Sequence, residues 1–133
     1  MQRVLAVMLL GLCLCTGCND SGAPLHFVLP DGFKGEIRIV KDPDQGSSVR
    51  EEGGRFTYII PPDGQLRVRS LAPFSHWHKE SAVFQNGGAL KTGTDDNVPE
   101  DSVALRSLGT LVSDGVTTVR YYVGTKKDEA TFR

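Results

Sequence analysis

The chain has 133 residues, with 15 Lys+Arg against 16 Asp+Glu, a formal net charge of -1 and 39% hydrophobic residues. That balance excludes the distinctly basic class of nucleic-acid binders, so no nucleic-acid partner is expected. It equally excludes an intrinsically disordered chain, which would be poorer in apolar residues and more highly charged. All three cysteines lie at or before position 18, so a fold beyond that point must hold through its core without disulfides.

The first element is a leader. Met1-Gln2-Arg3 carries one positive charge and is followed by Val4 to Leu14, an apolar run broken only by Gly11. About 11 apolar residues fall well short of the roughly 20 that cross a bilayer as a helix, which favours a secretory signal over a permanent span. Residues 1–17 are therefore set apart from the fold.

The run ends in Leu14-Cys15-Thr16-Gly17-Cys18, which resembles the lipobox of bacterial lipoprotein precursors. Thr16 and Gly17 match its two small positions, while Cys15 stands where leucine is usual. The resemblance implies diacylglyceryl transfer to the Cys18 sulfur, cleavage between Gly17 and Cys18, and a domain anchored by lipid to a membrane on the extracytoplasmic side of the bacterial cell envelope. An ordinary signal peptide cut nearby is the rival reading. Cleavage before Cys18 removes 17 of the 133 residues and leaves 116, with 14 Lys+Arg against 16 Asp+Glu, a length typical of one domain.

Residues 18–24 are small, polar and broken by Pro24, which suits a flexible tether. A single domain is expected over 25–124. Leu25 to Leu29 is strand-like and stops at Pro30-Asp31-Gly32, and Glu36 to Lys41 then alternates with Ile37 and Ile39 on one face. Arg55 to Ile60 places Phe56, Tyr58 and Ile60 on one face, and Gln65 to Arg69 turns Leu66 and Val68 inward. Residues 108–112 and 117–123 flank Ser113-Asp114-Gly115, whose Asp-Gly pair favours a tight hairpin. Between them, residues 86–106 mix glycine, acid and proline and read as one long loop; 125–133 reads as a solvated tail. Six or seven short strands among 15 glycines and 7 prolines predict an all-β sandwich. One echo stands out: Phe27-Val28-Leu29-Pro30-Asp31-Gly32 and Tyr58-Ile59-Ile60-Pro61-Pro62-Asp63-Gly64 use the same turn chemistry twice.

Gly35-Glu36-Ile37-Arg38-Ile39, Gly53-Gly54-Arg55-Phe56-Thr57-Tyr58 and Ile60-Pro61-Pro62-Asp63-Gly64-Gln65-Leu66-Arg67-Val68 resemble the carboxypeptidase-regulatory or transthyretin-like sandwich. Phe27 to Val68, with Tyr122-Val123-Gly124-Thr125, is more similar to small bacterial lipoproteins whose domain has no assigned function. These motifs imply a seven-stranded Ig-like or transthyretin-like fold and a non-catalytic accessory role, and they supply no site residues.

Four clusters carry candidate chemistry. His76 and His78, flanking Trp77, would share one face of an extended strand and could chelate Cu²⁺ or Zn²⁺, with His26 as a third imidazole if the fold brings it close. Otherwise Trp77 packs on the core and the histidines form a polar rim. Asp95, Asp96, Glu100 and Asp101 could gather round Ca²⁺ or simply be a charged loop. Arg38, Arg67, Arg69 and Arg120 sit on the outward phase of their strands, as a basic stripe or as ordinary solubilising charges. Ser75 and Ser81 lie near histidines in sequence, without a nucleophile elbow. The expected function is a non-enzymatic structural or binding module without cofactors, presenting residues 86–106 to an envelope protein or glycan; the alternative is a metal-binding envelope lipoprotein using His76 and His78.

Overall fold

Two proline-aspartate-glycine turns set the architecture of the computed structural model, which describes residues 22–133; the leader and Cys18 lie outside them. β1 (Leu25–Leu29) buries Leu25, Phe27 and Leu29 completely and ends at Pro30, and β2 (Gly35–Lys41) then buries Ile37 and Ile39. These two strands do not pair with each other. β1 lies between β4 (Arg55–Ile59) and β6 (Glu80–Phe84), while β2 lies between β5 (Gln65–Val68) and β9 (Val116–Gly124). The chain thus passes from one part of the sheet to the part opposite, as an arch over the core. β4, Pro61-Pro62-Asp63-Gly64 and β5 make a second arch, stacked on the first in parallel register: Phe27 aligns with Tyr58, and Ile39 with Leu66. The echo in the sequence is therefore a repeat in space.

The remaining strands are β3 (Glu51–Glu52), β7 (Ala89–Thr92) and β8 (Ala104–Ser113). All nine form one hydrogen-bonded sheet in the order β3-β4-β1-β6-β7-β8-β9-β2-β5. The all-β expectation holds; the expected sandwich of six or seven strands becomes a single curled sheet of nine. Continuity comes from β7, which pairs antiparallel with β6 and parallel with β8 and so joins the two halves. Residues 86–106 are correspondingly not one loop, since they contain β7 and the start of β8. The tail, expected to be solvated, forms a short turn and α1 (Glu129–Phe132), and Phe132 stacks on Tyr122 with ring centroids 5.3 Å apart.

The halves meet through aromatic rings. Phe27 of β1 stacks on Tyr58 of β4 at 5.6 Å and reaches across to Tyr121 of β9 at 5.1 Å, which ties neighbouring and opposing strands to one side chain. The expected hairpin joins β8 to β9, with Asp114 at φ 51 and Gly115 at φ 75, the left-handed pair that a two-residue turn requires.

The curl leaves a seam between the edge strands β5 and β3, and residues 42–52 run along it. Ser47 donates from its backbone to the Arg67 carbonyl at 2.9 Å and accepts from Arg69 N–H at 3.0 Å, after which β3 pairs with β4. Gly46 makes this latch fit, because a Cβ there would overlap the backbone of Val68 and Asp42.

The arches provide an internal test. Gly32 and Gly64 both hold positive φ, 69 and 75, but only Gly64 also lies against a neighbouring carbonyl, that of Glu36. Gly32→Ala should cost about 1 kcal/mol for the left-handed backbone, and Gly64→Ala a further ~1–3 kcal/mol for the steric overlap. Urea unfolding of the two variants measures this, and equal losses would contradict the stacking of the arches.

Candidate functional site

The segment between β5 and β6 carries the expected His-Trp-His cluster, but not as a strand. After a 3-10 turn at Ala72–Phe74, begun by Pro73 near its start, the chain bends through Ser75 and His76 and makes a single bridge at Trp77. The two histidines consequently part. His76 is exposed, whereas the side chain of His78 is only 13% exposed. Trp77, read as a core residue, is 65% exposed.

His78 is held at both ring nitrogens. Nδ1 lies 2.9 Å from the His76 carbonyl, and Nε2 lies 3.1 Å from Oε1 of Glu80. The same carboxylate oxygen accepts from the Tyr121 hydroxyl at 2.9 Å. Burial, reinforced by the Glu80 charge, pushes the Tyr121 phenol far above its ordinary range, so it serves here as a donor. Phe74 closes the cluster, edge-on to His78 at 6.0 Å and tilted against Tyr58 at 5.2 Å. Beside it, the fully buried Thr92 places its hydroxyl 3.3 Å from the Glu80 carbonyl and 3.0 Å from the Thr94 hydroxyl.

His26 goes elsewhere. It is 7% exposed on β1, with Nδ1 2.6 Å from Oγ of Ser81 on β6. Burial, then the Arg55 charge, lowers its pKa and favours the neutral ring. This is the one serine-histidine pair that the fold brings together from the candidates, and its charged neighbour is a guanidinium rather than an orienting carboxylate. Ser75 instead donates to the Ala72 carbonyl at 2.6 Å. Among the described residues no group of three or more His, Cys, Asp or Glu side chains is placed to hold a metal ion; a metal on His78 would have to displace the Glu80 or His76 contact.

The acids of 93–103 serve the backbone in part. Asp95 accepts from Thr92 N–H at 2.7 Å. Arg106 ties the segment down from β8, donating to the carbonyls of Pro99 at 2.9 Å and Ser102 at 3.0 Å.

Arg38, Arg67 and Arg120 do share a sheet face, on β2, β5 and β9, and Arg38 and Arg120 are direct register partners. Their charge is largely met locally. Glu36 Oε1 lies 3.1 Å from Arg38 and 2.7 Å from Arg120, and Asp42 lies 3.3 Å from Arg67. Arg69 falls beyond β5 and donates to the Gly46 carbonyl at 3.0 Å. It borders a groove of about 490 Å³ at the seam, floored by Val49, Phe56, Ala72 and Pro73, with His76 and Gly22 on its rim. No sequence signal marked this groove, because its walls come from four separate segments.

No family model and no curated protein matches the chain. A solved structure described as "Putative Lipoprotein from Bacillus anthracis" has a similar fold, with a TM-score of 0.51 and 10% sequence identity over 85% of this chain and 80% of that one. At that identity the likeness speaks for the fold alone.

Two predictions follow from the polar contacts. Tyr121→Phe should cost about 1.5–3 kcal/mol, the range for a hydrogen bond to a charged group. In a double-mutant cycle with Glu80→Ala, denaturant unfolding should give a coupling of about 1 kcal/mol or more; additive losses would mean the two groups do not act together. For Glu36, burial raises the pKa, but hydrogen bonds from Arg120 and Arg38 outweigh it and the net shift is downward. Its stabilisation is therefore present above the unfolded value of 4.5 and is lost as pH falls below that value towards the lowered folded pKa. Glu36→Gln should shrink the acid-side fall in stability, and an unchanged pH profile would contradict the pairing.

Proposed function

We propose that the chain is a lipid-anchored, non-catalytic structural or binding module of the bacterial cell envelope, fixed to a membrane through Cys18. The observation that carries this reading is Cys18 itself, placed after Thr16-Gly17 at the end of a short apolar leader with a single preceding arginine. Acylation explains how a lone cysteine persists at the start of an exported domain, because a thioether is no longer a reactive thiol. The fold shared with a structure described as a lipoprotein is in keeping with it. The transthyretin-like resemblance rests on the strand and turn residues of the two arches, whose strands belong to one continuous curled sheet and not to a two-sheet sandwich.

A non-catalytic role is favoured by how the polar side chains are used. His78, Glu80 and Tyr121 satisfy one another, and among the described residues the charge acting on His26 is that of Arg55 and not of a carboxylate, the group that orients a catalytic imidazole. What the domain offers outward is surface: the seam groove, the paired arginine face and an apolar hairpin tip. An envelope protein or glycan is the class of partner that such a surface meets.

Intact mass of the membrane-extracted protein provides the test. The expected mass is that of a chain beginning at Cys18 with added acyl groups, and Cys18→Ser should move the protein out of the acylated membrane fraction. A chain carrying an unmodified Cys18 thiol would remove the anchor and leave an ordinary secreted domain.

A further inference from the structure

Strand directions gather several exposed apolar groups at one end of the curled sheet. β2 and β5 run antiparallel to β9 and end there, the β8–β9 hairpin turns there, and the residues leading into β1, Gly22 and Ala23, share a groove with Arg69 just past the end of β5. The hairpin outruns its neighbours. β2 pairs with β9 no further than Val40 with Thr118, and β8 pairs with β7 only through Ala104 and Leu105. At the last of these pairs and beyond it, the tip exposes Leu111 at 43%, Val112 at 67% and Val116 at 43%. Isolated exposed apolar residues are ordinary, but three on one projecting turn form a wedge.

The same end receives the tether. Gly22 donates to the Trp77 carbonyl at 2.7 Å, and the Trp77 ring stands 65% exposed beside it. The hairpin tip lines a cleft with Lys41, Pro43 and Arg67; Asp42 accepts from Gly46 N–H, and Arg69, bound to the Gly46 carbonyl, borders the groove that Gly22 also lines. Gly22 is four residues beyond Cys18, a reach of roughly 14 Å when fully extended.

We infer that this end of the domain lies on the anchoring bilayer, with the tip at Leu111, Val112 and Val116 entering the headgroup boundary and Trp77 resting in the interface. The inference rests on the proposed acylation of Cys18, which holds the pole within reach of the lipid. A diacylglyceryl group already supplies the two chains that stable anchoring takes, so a further contact by the tip and Trp77 would set how the domain is oriented on the bilayer and not whether it stays there. Tryptophan is also the side chain most favoured at a membrane-water boundary, being apolar in body and polar at its N–H. Charge does little here: Asp42 lies 3.3 Å from Arg67 and offsets it, so the contact is chiefly apolar and should resist salt. The arches, at the opposite end, then face away from the membrane.

Cysteine usage makes the test direct, because an acylated Cys18 leaves the mature protein without a free thiol. Val112→Cys, and Lys34→Cys at the arch end, are labelled with an environment-sensitive fluorophore in the full processed protein, whose mass is taken first. In phosphatidylethanolamine–phosphatidylglycerol vesicles the Val112 label and native Trp77 should shift to the blue and be quenched by brominated acyl chains, in low and high salt alike. The Lys34 label should remain in water. Acylated protein whose Val112 label stays in water overturns the inference while leaving the anchor intact. A shift that follows protein concentration rather than lipid assigns the tip to a second copy of the chain and also overturns it. If the mass shows no acyl group the anchor fails, and the intrinsic fluorescence of Trp77 in the unlabelled protein mixed with vesicles decides the pole alone: a blue shift supports it and its absence overturns it.

Discussion

The structure depends on a constraint imposed twice, that a strand ending in proline-aspartate-glycine crosses the core instead of returning beside itself. A hairpin would have let each strand pair with its sequence neighbour. An arch prevents this and obliges β1 and β2 to find partners elsewhere, which they do in the second arch, strand for strand. Parallel pairing of this kind leaves both ends of each sheet half tied through the core. Phe27 is the physical centre of the arrangement, since it touches Tyr58 beside it and Tyr121 opposite. Once the arches are stacked, the sheet has to curl, and β7 only needs to bridge the halves on one side.

Curling one sheet instead of packing two leaves a single seam, and the way it is closed shapes the surface. Exposed strand edges invite unwanted pairing, so covering them has value beyond stability. Residues 42–52 cover β5 by Ser47 and extend β4 by β3, with Gly46 allowing close passage. What the latch does not fill is the groove between Val49, Phe56 and the Ala72–Phe74 turn. The groove is therefore a product of how the edge is sealed, and its position next to Gly22 follows from β1 starting where β5 ends.

Much of the fold was legible wherever turn chemistry and alternation agree. The turns at Gly32 and Gly64 and the β8–β9 hairpin at Asp114-Gly115 could be read, as could inward residues such as Ile37, Ile39, Tyr58 and Val68, but not that the first two turns cross the core. β6 was hidden because its inward residues are Glu80, Ala82 and Phe84: a carboxylate on the core side reads as an outward residue, and its burial depends on donors from His78 and Tyr121. β7 was hidden for the same reason, since Thr92 is fully buried yet polar. The long-loop reading of 86–106 followed from that omission. Parallel register cannot be deduced from local pattern at all, so six or seven strands in a sandwich was as far as periodicity could go. The site was less legible than the fold. Trp77 and His78 exchange the exposure that their side chains suggest, because a bend after Phe74, rather than a strand, sets their directions.

That exchange connects the polar network to the functional reading. A buried carboxylate beside a histidine and a tyrosine has the ingredients of acid-base chemistry, but each group here is occupied by the others, and satisfied buried groups act mainly to fix geometry. The geometry they fix is the return of the chain from β5 to β6. Glu80 draws His78 inward from one side of Trp77, and the His78 contact with the His76 carbonyl closes the bend, which leaves the indole nowhere to go but outward. The Trp77 carbonyl meanwhile receives Gly22 N–H, so the tether and the indole are placed by one segment. The residues that looked most like chemistry in the sequence are thus the ones that aim a large apolar side chain at whatever lies beyond the tether.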